Sequence, residues 1–288
     1  MTGEELSAWI GRRETREDVI APGPVERLAA TLDWDAPPPG PGEALPPAWH
    51  WLYFLDAHRQ SRLGPDGHGA RGDFLPPVAL PRRMWAGGRL AFRRPLEIGA
   101  RARRVSEIVS ITPKTGRGGA LVFVTVRHSV VEIGAAIGAA PAIVEEHDIV
   151  YREAPRAGAP APPPIEAPGA ASWRREVEAD AVLLFRYSAL TFNGHRIHYD
   201  RAYATETEGY PGLVVHGPLI ATLLLDLLRR EGPGRAIAAF DYRARAPLFD
   251  TAPFVVRGMP GPGGEEALVW AEEEGGAVAM EGRARFAP

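Results

Sequence analysis

The sequence holds no cysteine, which excludes disulfides, thiolate nucleophiles and cysteine-ligated zinc or iron–sulfur centres. It has no apolar run long enough to cross a bilayer, and its first residues, MTGEELSAWIGRRETRED, lack the apolar core of a secretory leader. Charge of one sign is not in excess either. A formal net charge of −3 gives no general attraction to nucleic acid or to an anionic membrane, so neither is expected as a partner. No glycine-rich phosphate loop stands between a strand and a helix. The expectation is a cytoplasmic globular protein.

What is present points to an α+β chain in two parts. A length of 288 residues suits two domains of typical size, about 100–150 residues each. The 32 glycines and 29 prolines favour short strands and turns over a helical bundle. Residues 4–21 read as a short amphipathic start and a strand-forming segment, and 24–32 have helical spacing with Pro24 in the first turn. The apolar run 48–57, AWHWLYFLDA, reads as a buried helix. Residues 63–88 read as a long irregular loop, a length that in a compact domain usually marks function. Strands follow from Arg89 through 153, with a turn at 115–119 and β-branched alternation at Val122, Val124 and Val126.

Residues 155–171, PRAGAPAPPPIEAPGAA, have no core-forming side chains and read as a semi-rigid linker between a domain at 1–154 and another at 172–288. Beyond it the pattern repeats. Each half has an apolar helix and then about four strands, the first of which ends in Pro-Leu, at Pro95-Leu96 and Pro247-Leu248. One helix and several tightly connected strands per half fit two tandem curved antiparallel sheets, each wrapped on a central helix.

The chemistry concentrates between Phe185 and Leu228. Three of the eight histidines, His195, His198 and His216, fall there with Tyr187, Asn193, Arg196 and Asp200 on an expected loop. Imidazole titrates nearest neutral pH and suits proton transfer. Gly217-Pro218 opens a leucine-rich helix, with Leu219, Ile220, Leu223, Leu224, Leu227 and Leu228 at helical spacing. The unpaired N–H groups at such a start can hold an oxyanion, and Gly217 lets a carbonyl approach the backbone.

These residues resemble a known family. The string FRYSALTFNGHRIHYD at 185–200 and the HGP helix start at 216–218 are similar to the MaoC-like hot-dog hydratases and dehydratases. The closer match is the subgroup of mesaconyl-C4-CoA hydratase, itaconyl-CoA hydratase and the type 2 3-hydroxyacyl-thioester dehydratases. Asp66-Gly67-His68, LPP…PRRMWAGG at 75–88 and Lys114-Thr115-Gly116-Arg117 extend the resemblance into the first half. It implies a double hot-dog with one acyl-thioester site, made mainly by the second half. By position His198 takes the catalytic histidine's place, whereas Asn193 stands where the wider family has an aspartate, and an amide cannot act as a base.

The implied reaction is addition or removal of water at Cα–Cβ of an enoyl thioester, with a C5 dicarboxylyl-CoA as the leading substrate. It needs an acid/base, assigned to His198, and donors on the thioester oxygen, assigned to the Gly217 N–H. Asn193 is expected to orient water or His198, or else to cap the loop. His195 is either a second acid/base or a loop anchor, and His216 either flanks the acyl group or is structural. Arg196 and Asp200 are expected to pair. Arg82 and Arg83 are candidates for a substrate carboxylate, Trp85 for a pocket wall or core, and Lys114, Arg117 and Arg243 for coenzyme A phosphates or plain surface charge. No metal is expected, because His195-x-x-His198 lacks further ligands in sequence, and no cofactor beyond the coenzyme A of the substrate. A fatty-type 3-hydroxyacyl-ACP or -CoA dehydratase, a non-catalytic acyl-thioester binder and a thioesterase are the alternatives. Monomer and homodimer are both allowed.

Overall fold

A computed structural model of the chain describes residues 3–69, 72–116, 119–135, 138–153 and 163–288. Arg117, residue 154 and residues 155–162 of the linker lie outside these. Ten strands form one antiparallel sheet among the described residues. The first half contributes β1 Arg13–Val19, β2 Arg82–Phe92, β3 Arg101–Gly116, β4 Gly119–Glu132 and β5 Ile143–Arg152. The second contributes β6 Trp173–Val177, β7 Ile237–Ala244, β8 Phe254–Pro260, β9 Glu266–Glu273 and β10 Val278–Phe286.

Across the sheet the order is β1-β3-β4-β5-β2-β7-β10-β9-β8-β6. From either outer edge inward, each half therefore runs first, third, fourth, fifth and second strand. The halves meet where β2 pairs with β7, from Gly87↔Arg243 to Ala91↔Ala239. The fold is a double hot-dog of α+β class. The repeat visible in the sequence is the pseudo-symmetry of one continuous sheet, where two sheets were expected.

Among the described residues four α-helices accompany it: α1 Gly3–Ser7, α2 Pro22–Thr31, α3 Ala181–Leu190 and α4 Gly217–Glu231. Helix α4 is enclosed, with Leu219, Ile220, Leu223, Leu224, Leu225, Leu227 and Leu228 all buried. It packs on β6, β8, β9 and β10. Each such side chain contributes about 1.5–3 kcal/mol by burial, enough to fix the position of the helix start.

Among its described residues the first half has no such central helix. The expected helix at 48–57 is one 3-10 turn, Trp49–Leu52, between Ala48 and Phe54, whose φ values of 66° and 57° no right-handed helix admits. A tertiary partner overrides the apolar pattern here: His50 and Trp51 both hydrogen-bond the buried Glu145 carboxylate of β5. Part of that half's sheet is covered instead by the loop before β2, through Phe74, Leu75, Val78 and Leu80. Strand β2 also begins earlier than expected, at Arg82, so Arg82–Gly88 is strand and not loop.

Candidate active site

Helix α3 starts where the Asp180 carboxylate accepts from the Leu183 N–H at 2.8 Å, a capping interaction worth about 1 kcal/mol. It carries Tyr187, which the sequence placed on a loop, and Ser188. The chain leaves it through Phe192 at a φ of 50°, and Asn193 follows. The Asn193 Oδ1 accepts the backbone N–H of His195 at 3.0 Å, so its amide oxygen caps this loop. A 3-10 turn, Arg196–His198, comes next. Arg196 and Asp200 pair as expected, at 2.7 Å, and the other Asp200 oxygen accepts from the Tyr203 N–H. This loop is tied on both sides and presents its histidines in a fixed direction.

His198 is 8 % exposed. Its Nδ1 lies 2.7 Å from the Val214 carbonyl, and the Val214 N–H donates back to the Ile197 carbonyl. A carbonyl only accepts, so Nδ1 carries the proton and Nε2 keeps its lone pair in the neutral ring. Burial pushes the His198 pKa down to about 4, which keeps it a free base at neutral pH. Its ring stacks on His216, with centroids 3.7 Å apart and planes at 18°. His216 is the N-cap residue of α4, and its Nε2 meets the Ser188 hydroxyl at 2.8 Å. Burial holds His216 well below its ordinary pKa and takes His195 down to about 2, with nearby imidazoles adding to the effect.

The start of α4 therefore lies directly behind the stacked pair. Gly217 donates its N–H to no carbonyl or side chain among the described residues. Its Cα faces the Trp85 indole, and a Cβ there would come within 2.6 Å of the ring. The close approach that glycine permits is thus taken by Trp85 of β2. Trp85 also packs on Tyr242 at 4.6 Å and on His147 at 5.4 Å, against the edge of the hydrophobic core.

Other expected residues fall in different places. Arg82 is engaged by the segment after the loop of Asn193 to Asp200: it donates to the Glu208 carbonyl at 2.8 Å and to the Tyr210 hydroxyl at 3.3 Å. Arg83 makes no ion pair or hydrogen bond among the described residues, and its charge acts on both His147 and His195. Lys114 is exposed on β3 with its ammonium over the Phe123 ring. Arg243 is exposed and alternates with the buried Tyr242, which puts it on the opposite face of the sheet from Trp85.

The first half brings residues to the site that sequence reasoning left unassigned. The Asp66 carbonyl accepts from the Arg196 N–H at 2.9 Å, and the Pro65 carbonyl accepts from the Arg196 guanidinium at 3.0 Å. The His68 ring sits 4.0 Å from that of His195. Asp66, His68 and His195 have ligand-type atoms all within 4.8 Å of one another, so His195 does have metal-ligand company, though not from its own loop. The Asp-Gly-His string was the signal. Its spacing alone said nothing about which loop it would meet.

The hydroxyacyl-thioester dehydratase type 2 family model matches residues 48–250. Over 281 residues, and 97% of both chains, the sequence is 49% identical to mesaconyl-C(4)-CoA hydratase of Chloroflexus aurantiacus. It is 26% identical, over 82% of this chain and 87% of the relative, to the mitochondrial hydroxyacyl-thioester dehydratase type 2 of Schizosaccharomyces pombe. Among solved structures, a MaoC-like dehydratase superposes with a TM-score of 0.70 at 14% identity, covering 98% of this chain and 100% of the other. A Mycobacterium tuberculosis protein described as a double hotdog gives 0.54 at 13% identity, over 96% of each chain. These structures share the fold. With the family model spanning both halves, the chain belongs to the hydroxyacyl-thioester dehydratase type 2 family.

Proposed function

We propose that the protein is a hydro-lyase that adds water to, or removes it from, the Cα–Cβ bond of an enoyl-CoA thioester. The substrate we infer is a C5 dicarboxylyl-CoA, mesaconyl-C4-CoA or itaconyl-CoA, interconverted with citramalyl-CoA. The observation that carries this reading is His198: a buried neutral imidazole with its Nδ1 proton committed to Val214 and its Nε2 lone pair uncommitted, stacked on the residue that opens α4. Such a group can take a proton from water as the oxygen bonds to Cβ. Negative charge then builds on the thioester oxygen, where the N–H groups at the start of α4 are suited to receive it.

Arg83 supports a dicarboxylyl substrate over a fatty one. A half-buried guanidinium with no anion paired to it among the described residues matches a free carboxylate near the reacting carbons, and an alkyl chain has no use for it. The 49% identity to a mesaconyl-C(4)-CoA hydratase supports the same choice. The reading asks for no cofactor, since coenzyme A enters as part of the substrate.

The test is loss of enoyl-thioester absorbance with mesaconyl-C4-, itaconyl- and crotonyl-CoA. The C5 esters should turn over at least tenfold more efficiently than crotonyl-CoA. A crotonyl preference would favour the fatty-type dehydratase. Substituting His198→Ala should remove turnover while leaving affinity for the ester nearly intact, and undiminished turnover would dispose of the assignment.

A further inference from the structure

We propose that Phe192, with the exposed stripe of α3 that it continues, is the surface on which the adenine of the substrate's coenzyme A stacks. This inference rests on the hydratase reading above and places the part of the substrate that does not react.

The turn that ends α3 is a position where glycine would be free of strain. The Phe192 N–H donates to the Ala189 carbonyl at 3.4 Å, and the Asn193 N–H donates to that of Ser188 at 2.8 Å. This pair of bonds closes the helix through a left-handed residue, and Phe192 supplies it with a φ of 50°. A Cβ is strained there, which is why glycine is the usual occupant. Four non-glycine residues have positive φ among the described residues. Ala48 and Phe54 bury their side chains, so packing offsets the strain. Asp33, just past the C-cap of α2, is of a type that tolerates the conformation. Phe192 has neither compensation, because its side chain is apolar and 64 % exposed. A strained backbone that displays an aromatic ring to solvent beside a candidate catalytic loop points to a ligand for that ring.

The ring does not stand alone. Val182, Phe185, Ala189 and Phe192 are all exposed, and their spacing puts them on one side of α3 and its closing turn. They make a stripe about 15 Å long at the helical rise. One end of it abuts Asn193 and the loop of His195 and His198. Arg186 is exposed beside it, one helical turn from both Val182 and Ala189, and pairs with no carboxylate among the described residues.

An apolar stripe that runs away from the reacting atoms, with a guanidinium at its side, fits an elongated ligand that carries a flat base and phosphates. The coenzyme A of the substrate has that composition. Its adenine offers a face to the Phe192 ring, and its phosphates suit Arg186. A second copy of the chain fits less well. A specific protein interface uses about 20–30 residues a side, whereas the stripe offers a few apolar ones next to an unpaired cation.

The experiment reads stability and binding in opposite directions, on the full chain. Phe192→Gly relieves the strained turn, so Tm should rise by about 2 °C. Its Kd for free coenzyme A, measured by calorimetry, should nevertheless rise about tenfold. KM for the enoyl-CoA that the wild type hydrates should rise by the same factor. Phe192→Trp keeps a ring and should hold both constants within threefold of wild type. The matching enoyl-pantetheine ester, which has no adenine, should show no dependence on residue 192. Unchanged coenzyme A affinity in Phe192→Gly would overturn the proposal. An equal loss with the pantetheine ester would also overturn it, since the ring would then serve the arm and not the base. A lowered Tm with a loss of kcat would leave Phe192 a structural support of the loop and end the proposal as well. A wild-type dimer that Phe192→Gly dissociates, with coenzyme A affinity intact, would assign the stripe to a second copy instead. A wild type that binds coenzyme A through Phe192 but hydrates no enoyl ester would sink the hydratase reading and leave this inference standing.

Discussion

Gly67 lies against the carbonyl oxygen of Gly194 so closely that a methyl group on it would fall far inside van der Waals contact, and its φ of 86° is in the left-handed region. The two glycines are one point where the first half's loop touches the loop of Asn193 to Asp200, beside the contacts of Pro65 and Asp66 with Arg196. Substituting Gly67→Ala should therefore cost about 1–2 kcal/mol for the backbone alone, and should separate the loops besides. The expected result is a tenfold or greater loss of kcat with a modest fall in Tm. Full activity in that variant would show that docking of the loops is dispensable.

The pH dependence follows from burial. As a base, His198 works only unprotonated, so its contribution to kcat is lost as pH falls through about 4 and is flat above that. Stability should fail earlier. Burial depresses His198 and His147 to about 4 and His128 to about 3, against about 6.5 in the unfolded chain. The unfolded state then binds more protons between about pH 6.5 and 4, so stability is whole above that window and declines as pH falls through it. The slope is at most about 1.4 kcal/mol per pH unit for each imidazole. Urea unfolding at pH 7.5, 6 and 5 should show falling midpoints; equal midpoints would mean that the rings titrate alike folded and unfolded.

Arg83 gives a test of substrate class that does not depend on the acid/base assignments. Arg83→Ala should raise KM for a C5 dicarboxylyl-CoA by about 10–100-fold and leave any crotonyl-CoA turnover unchanged, since it removes a charge-assisted contact to the free carboxylate. Arg83→Lys should recover part of the loss, because a point charge replaces a two-pronged donor. Equal effects on both esters would remove Arg83 from the carboxylate site.

Asp226 tests the packing that aims α4. It is 4 % exposed and pairs with Arg175, Arg229 and Arg230, while also accepting from the Trp34 indole at 2.8 Å. The Arg230 guanidinium reaches on to the Leu32 and Asp33 carbonyls just beyond α2. Asp226→Ala leaves these cations without their anion and should destabilise the chain by about 3 kcal/mol, read from denaturant unfolding. A change under 1 kcal/mol would mean that the arginines re-solvate freely.

Much of this was legible before any coordinates. The strands of both halves, the Pro-Leu repeat, the extent of α4 and the Arg196–Asp200 pair follow from local periodicity, turn residues and short-range charge spacing. The misreadings share a cause. Residues 48–57 carry a helix-like apolar pattern, yet His50 and Trp51 are drawn to Glu145, far along the chain. Arg82–Gly88 looked irregular because its glycines and bulge belong to a strand flanked on both sides, where Tyr242 crowds Gly87 and Gly88. Arg82 and Arg83 look equivalent in sequence, and only the neighbouring segment at Glu208–Tyr210 distinguishes them.

The sequence alone determined the family resemblance, the repeat of strands in the two halves and the extent of the leucine-rich helix, because these are written in contiguous strings and short periods. The tertiary structure decided the tautomer of His198, the neutral state of its neighbours and the arrival of Asp66 and His68 beside His195. Those depend on burial and on contacts outside local spacing, such as His198 with Val214 and His68 with His195, the latter more than a hundred positions apart.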